Sequence, residues 1–287
     1  MQATTMGRTV AKANHPPYGQ DFPAGTATGR FANGYTSVDL IALKLGLPLT
    51  PIHSDPSTKG MNLLHGVNFA SAGSGIQSYV SHELGKVYSL DDQIQQFVQV
   101  KQEIITTIGV NATSFLMKQS LFYIVTGTND WLLYTGTPIG KSLYTKSQYT
   151  ELLITKFNSQ IKELYNLGAR VVVVAGLGAF GSPGALKHPA GTHFLFQDSY
   201  TALLTIRNNP SDFGYTIVDH ACCSISTLEK FPLPLCFKAC ENVEDHLFWD
   251  AYHPTRFQEQ VFDLVWNIGP PYSYPYSGKQ FLSVVTE

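Results

Sequence analysis

The chain has 287 residues, a formal charge of −2 at pH 7 and an isoelectric point near 6.5, with no Lys/Arg run, so nucleic acid is not an expected partner. Only 14% of residues are charged, against 17 Phe and 15 Tyr, a balance that suits an apolar substrate. The longest apolar run, around Val171–Phe180, is far too short to cross a bilayer, and a single large α/β domain over 1–287 is the expected organisation.

Residues 1–37 are rich in Gly, Pro, Thr and Asn and read as loop, and Met1 to Lys12 has no apolar core of a signal peptide. Val38–Leu45 carries apolar residues at helical spacing. Gly66–Ala70 reads as a short strand entering the small-residue loop Ser71-Ala72-Gly73-Ser74-Gly75. Asp91–Ile108 reads as a helix whose Asp91 and Asp92 suit its positive end. Leu121–Val125 is a short apolar strand ending in Thr126-Gly127. Gln148–Leu167 is an amphipathic helix. Val171–Val174 is four consecutive valines, as in a strand covered on both faces. Phe194–Gln197 is a further strand, and a last helix runs from Arg256 to Trp266, with Thr255 and Gln258 spaced as a capping box. Strand–helix–strand order with continuous apolar strands points to a parallel α/β sheet. Gly176–His193, with Gly181, Pro183, Gly184 and Pro189, does not read as the helix a parallel crossover normally carries. Either the flanking strands are not neighbours in the usual way or a segment is missing.

The four cysteines, Cys222, Cys223, Cys236 and Cys240, lie close together and read as two local disulfides. Zinc is a rival reading, weakened because adjacent cysteines are awkward ligands of one tetrahedral ion. Free thiols in a reducing compartment are the third. The triplet Asn111-Ala112-Thr113 is a glycosylation sequon compatible with secretion.

Three segments carry candidate chemistry. In Asp250-Ala251-Tyr252-His253-Pro254, the proline pushes His253 out of the α region, and Asp250 lies within reach of its Nδ1, leaving Nε2 as a base. A surface histidine near a helix start is the plainer reading of that spacing alone. Gly127-Thr128-Asn129-Asp130 follows a strand, where open α/β sheets place their sites, so the Asn129 carboxamide is a candidate oxyanion donor; an ordinary turn competes. Gly73, in its small-residue loop, is a candidate backbone oxyanion donor, with a tight turn as the rival. A nucleophile is missing from this set. There is no G-x-S-x-G elbow, and Ser71 and Ser74 are nominal candidates better explained as turn residues.

Several motifs occur together in the order found in one family. Ala11 to Pro23 with Thr28-Gly29-Arg30-Phe31-Ala32-Asn33-Gly34, then Gly66 to Gly75, Gly127 to Asp130, Ala221-Cys222-Cys223 with Cys236 and Cys240, and Phe248 to Thr255 resemble the conserved segments of plant GDSL esterases/lipases. The resemblance runs from Ala11 to the C-terminus. It implies the three-layer αβα SGNH-hydrolase fold, related to flavodoxin-like sheets, and hydrolysis of carboxylic esters, including acyl lipids, by a Ser-His-Asp mechanism. It implies His253 as general base, Asp250 as its orienter, and Gly73 and Asn129 as oxyanion donors. No cofactor or metal, a monomer and an extracellular location are further expectations. The family's first strand and its Gly-Asp-Ser nucleophile block belong before Ala11, and Met1–Val10 contains neither, so a parallel sheet lacking its interior first strand is expected. Arg256 stands where the family usually has Glu. The alternative is a non-catalytic relic, or a protein that binds acyl or glycan ligands.

Overall fold

The computed structural model describes residues 9–80, 84–176, 185–225, 236–255 and 257–286. In chain order the elements are α1 (Ser37–Lys44), α2 (Leu90–Ile108), α3 (Val110–Gln119), β1 (Leu121–Val125), α4 (Thr128–Gly136), α5 (Pro138–Leu143), α6 (Lys146–Asn166), β2 (Val171–Gly176) and β3 (His193–Asp198). There follow α7 (Ser199–Asn208), β4 (Ile217–Ala221), β5 (Ser224–Ile225), β6 (Cys236–Lys238), β7 (His246–Phe248), α8 (Phe257–Asn267), β8 (Ser273–Tyr274) and α9 (Gly278–Thr286).

The main sheet has the order β1-β2-β3-β8. The first three strands are parallel, with Val171 opposite Leu121 on one side and His193 on the other, and β8 closes the far edge antiparallel. Period-two alternation divides the valines of β2 between two layers. Val172 and Val174 pack with Ile94 and Phe97 of α2 and Leu153, Phe157 and Ile161 of α6. Val171 and Val173 pack on the other face with Leu195 and with Phe281 of α9. Helices therefore cover both faces, which is why β2 is buried along its whole length and reads as a continuous apolar run. The expected three-layer α/β architecture is present. A smaller parallel pair, β4 with β7, carries the chain into the Asp250–His253 turn.

The strong helices start where the sequence places polar caps. Ser89 with Asp92 and Thr145 with Gln148 form capping boxes at α2 and α6. Ahead of α8, which α9 follows as the last helix, Arg256 lies outside the described residues, and the Thr255 hydroxyl donates to the His246 carbonyl at 2.7 Å.

One expectation needs correction, and one alternative is decided. Gly66–Ala70 is not a strand. Asn68 makes a single parallel bridge to Ile52, its N–H donating to Pro51 O and its C=O accepting from His53 N–H. A strand needs a ladder partner, and among the described residues no strand lies between this segment and β1, where a cavity runs instead. The strands flanking Gly176–His193 are, moreover, direct parallel neighbours. Residues 177–184 of that connection lie outside the described ones, and residues 185–192 contain no α-helix.

All four cysteines form disulfides, Cys222 with Cys240 and Cys223 with Cys236. Sulfurs so bonded are not available as thiolate ligands for zinc or as free thiols.

Candidate functional site

The Asp250–His253 turn leaves β7 and folds back so that the His253 carbonyl accepts from Trp249 N–H at 2.8 Å, while Phe248 bridges Pro254. Within it the Asp250 carboxylate is fully buried and receives four donors. The backbone N–H groups of Tyr252 (2.9 Å) and His253 (2.8 Å) reach Oδ1; His253 Nδ1 lies 2.9 Å from both oxygens; the Tyr18 hydroxyl donates to Oδ2 at 3.1 Å. Burial alone would raise the Asp250 pKa, but the His253 imidazole beside it and the Tyr252 and His253 backbone N–H groups outweigh burial and hold it below the ordinary carboxylate value. With Nδ1 held by the carboxylate, Nε2 is the ring nitrogen left for other chemistry.

The His253 ring lies against Phe31, with centroids 5.1 Å apart. Phe31 is steadied from the next residue. The Arg30 guanidinium forks onto the buried Asp39 carboxylate, Nε to Oδ2 at 2.8 Å and Nη2 to Oδ1 at 2.6 Å. Asp39 also accepts from Thr36 N–H and hydroxyl, and so closes the capping box of α1. Burial pushes its carboxyl up, and Arg30 more than reverses that, leaving the pKa lowered.

Gly73 and Asn129 line the same cavity as His253. Gly127, at φ 97°, caps α4, so Asn129 stands in the first turn of a helix rather than in a loop turn. Its Nδ2 donates to Ser74 O at 2.8 Å, which joins the two motifs directly. Gly73 adopts φ 75°, a region that glycine enters without cost, and among the described residues its N–H has no hydrogen-bond partner. Asp130, fully buried, accepts from Ile76 N–H (2.9 Å) and Gln77 N–H (3.0 Å) and locks the loop to α4. A Cβ on Gly75 would sit 2.7 Å from Asp130 Oδ2, which explains a glycine there. Burial raises the Asp130 pKa despite these two donors.

Gly73, Ser74, Asn129 and His253 all line one cavity of about 1440 Å³. Asp250 is behind His253 and does not line it. The cavity runs along the outer edge of β1, and its walls come from both helical layers: Ile94 and Phe97 of α2 on one side, Phe262 and Val265 of α8 and Leu282 of α9 on the other. Opposite layers can share one cavity only where no strand separates them. Among the described residues no strand separates the two layers there, and the cavity lies as a slot beside β1.

The sequence drew attention to Asp250, His253, Asn129 and Gly73, and missed the groups that hold them: Tyr18, the Arg30–Asp39 pair, and the carboxylate of Asp130. Asp130 and the Thr36/Asp39 spacing were readable signals. Tyr18 was not, because its partner is 232 positions away.

Fold and site together define a three-layer α/β protein with a carboxylate–imidazole pair at the mouth of an apolar cavity. The family model of the GDSL-like lipase/acylhydrolases matches residues 5–263, and the chain belongs to that family, one of hydrolases acting on ester bonds. Among similar proteins of Arabidopsis thaliana, GDSL esterase/lipase At5g08460 is 31% identical, covering 90% of this chain and 76% of its own length, and GDSL esterase/lipase At5g42170 is 32% identical, covering 88% and 78%. The alignment with the first runs over 299 positions, more than the 287 residues of this chain, so that relative carries internal segments with no counterpart here.

Proposed function

We propose that this cavity mouth is the base and oxyanion side of a carboxylic-ester-hydrolysing site. His253 serves as general base through Nε2, and Asp250 fixes its tautomer. The second Asn129 amide hydrogen and the Gly73 N–H are the oxyanion donors. The observation that carries the reading is that Gly73, Asn129 and His253, far apart in sequence, line one cavity that runs along β1. The nucleophile is to come on a strand seated in the slot beside β1, as the resemblance to Gly-Asp-Ser proteins implies. The apolar slot walls and the apolar composition favour acyl esters. Two disulfides and the exposed Asn111 sequon on α3 support an extracellular location. We take the chain to act as a monomeric single domain without metal or cofactor.

The test is hydrolysis of short-chain p-nitrophenyl esters by three proteins: the 287-residue chain, the chain with a family-type strand and Gly-Asp-Ser segment placed ahead of Ala11, and that extended protein with His253→Ala. The first is expected to be near background, the second active, and the third to lose at least about 10³-fold. Robust, His253-dependent turnover by the first would return Ser71 or Ser74 as nucleophile. An inactive second protein would sink the catalytic reading in favour of a binding role.

A further inference from the structure

We infer that Tyr18 is a positioning residue of the Asp250–His253 pair, holding the carboxylate from behind while the Cys223–Cys236 disulfide holds Tyr18. The inference rests on the proposed role of that pair and adds a member to it from the opposite end of the chain.

The connections close into a ring. The Tyr18 hydroxyl donates to Asp250 Oδ2 at 3.1 Å, and its oxygen accepts the Cys236 N–H at 3.3 Å. Cys236 is bonded through sulfur to Cys223. The Cys223 N–H donates to the carbonyl of Trp249 at 2.7 Å, and Trp249 is covalently joined to Asp250. All five residues of this ring are buried. The Tyr18 ring packs edge-on against Trp249 and Phe31, at 6.2 and 5.6 Å between centroids, and Phe31 in turn lies on the His253 ring.

The hydroxyl has a task that the ring alone cannot do. The last torsion of an aspartate is broad and two-fold, so the plane of its carboxylate is set by donors rather than by rotamer preference. Backbone N–H groups pin Oδ1, but among the described residues Tyr18 and the His253 Nδ1–H are what reach Oδ2. Removing the phenol would leave that buried oxygen leaning on His253 alone and free the carboxylate plane to tilt, and with it the Nδ1–H···O geometry that fixes the imidazole. Burial, and the Asp250 charge next to it, push the Tyr18 hydroxyl far above its ordinary pKa, so it stays a donor at every working pH.

The experiment follows the His253 Nδ1–H proton by NMR in the whole chain labelled with ring-¹⁵N histidine, and needs no turnover. In the unmodified protein a downfield, hydrogen-bonded resonance is expected. Tyr18→Phe, which keeps the ring packing, is expected to move it upfield and to speed its exchange with water by about tenfold. Cys223→Ser with Cys236→Ser is expected to move it the same way by less. A resonance and exchange rate unchanged in Tyr18→Phe would overturn the inference. Should that variant fail to fold, 3-fluorotyrosine at position 18 makes the hydroxyl a stronger donor and is expected to shift the resonance in the folded chain; no shift there overturns the inference equally. A missing bonded resonance in the unmodified chain would instead remove the Asp250–His253 pair itself, and with it the catalytic reading.

Discussion

The two sides of the cavity mouth are built to different standards. On the His253 side every layer is closed: the imidazole is backed by a buried carboxylate, the carboxylate by Tyr18 and two backbone donors, and the surrounding chain by two disulfides and the Arg30–Asp39 pair. On the Gly73 side Asp130 holds the loop, yet among the described residues Gly66–Ala70 makes only one bridge, and β1 has a strand partner on one edge alone. A site half can thus be fully assembled while the scaffold beside the other half is open. The first draws on local turns, cross-links and side-chain hydrogen bonds, and the second depends on a ladder that only a further strand can supply.

The largest expected contrast comes from removing the cross-links of the closed side. Reducing both disulfides, which span 18 and 13 positions, should cost about 3 kcal/mol each by the chain-entropy estimate. Urea denaturation with and without reductant measures this, and thiol titration of the denatured, unreduced chain should find no free thiol. Titration of four thiols would break the comparison at its start.

The core gives the next contrast. Phe157, fully buried on the filled side of the sheet, should cost about 3–5 kcal/mol as Phe157→Ala, whereas Phe97→Ala on the slot wall should cost less than half of that, because the neighbouring volume is already open. Equal losses in the denaturation midpoints would mean that the slot is occupied in solution. On the Gly73 side, Gly75→Ala drives a methyl into the Asp130 carboxylate and should cost about 1–3 kcal/mol by displacing it from the Ile76 and Gln77 N–H groups. A neutral outcome, checked by the same denaturation assay, would show that Asp130 does not hold the loop.

The smallest effect is a difference in sign. Asp250 and Asp39 have lowered pKa values in the folded chain, so each contributes stability that is present above the unfolded value, near pH 4, and lost as pH falls through the folded value. Asp130 is raised, so its contribution is present below the unfolded value and lost as pH rises through the folded one. Denaturation midpoints followed from pH 7 to pH 3 should therefore lose part of their acid sensitivity in Asp250→Asn and gain acid sensitivity in Asp130→Asn. The same slope change in both variants would refute the assignment.

What the sequence determined by itself was whatever short-range chemistry controls. The period of α2 and α6, the valine run of β2 and the Asp250–His253 spacing were legible because each is decided within a few residues. The sequence also located the cysteines but not their pairing, which needs the relative placement of two chain segments. Helices α3, α4, α7 and α9 escaped notice because their apolar patterns are short and their faces are fixed by what they pack on. Only the tertiary structure decided that Gly66–Ala70 fails as a strand, since extended residues become a strand when a neighbour offers its ladder, and the neighbour's place beside β1 is the slot. The tertiary structure alone also brought Tyr18 to Asp250, because a hydrogen bond between residues so far apart in the chain leaves no mark on the local pattern of either.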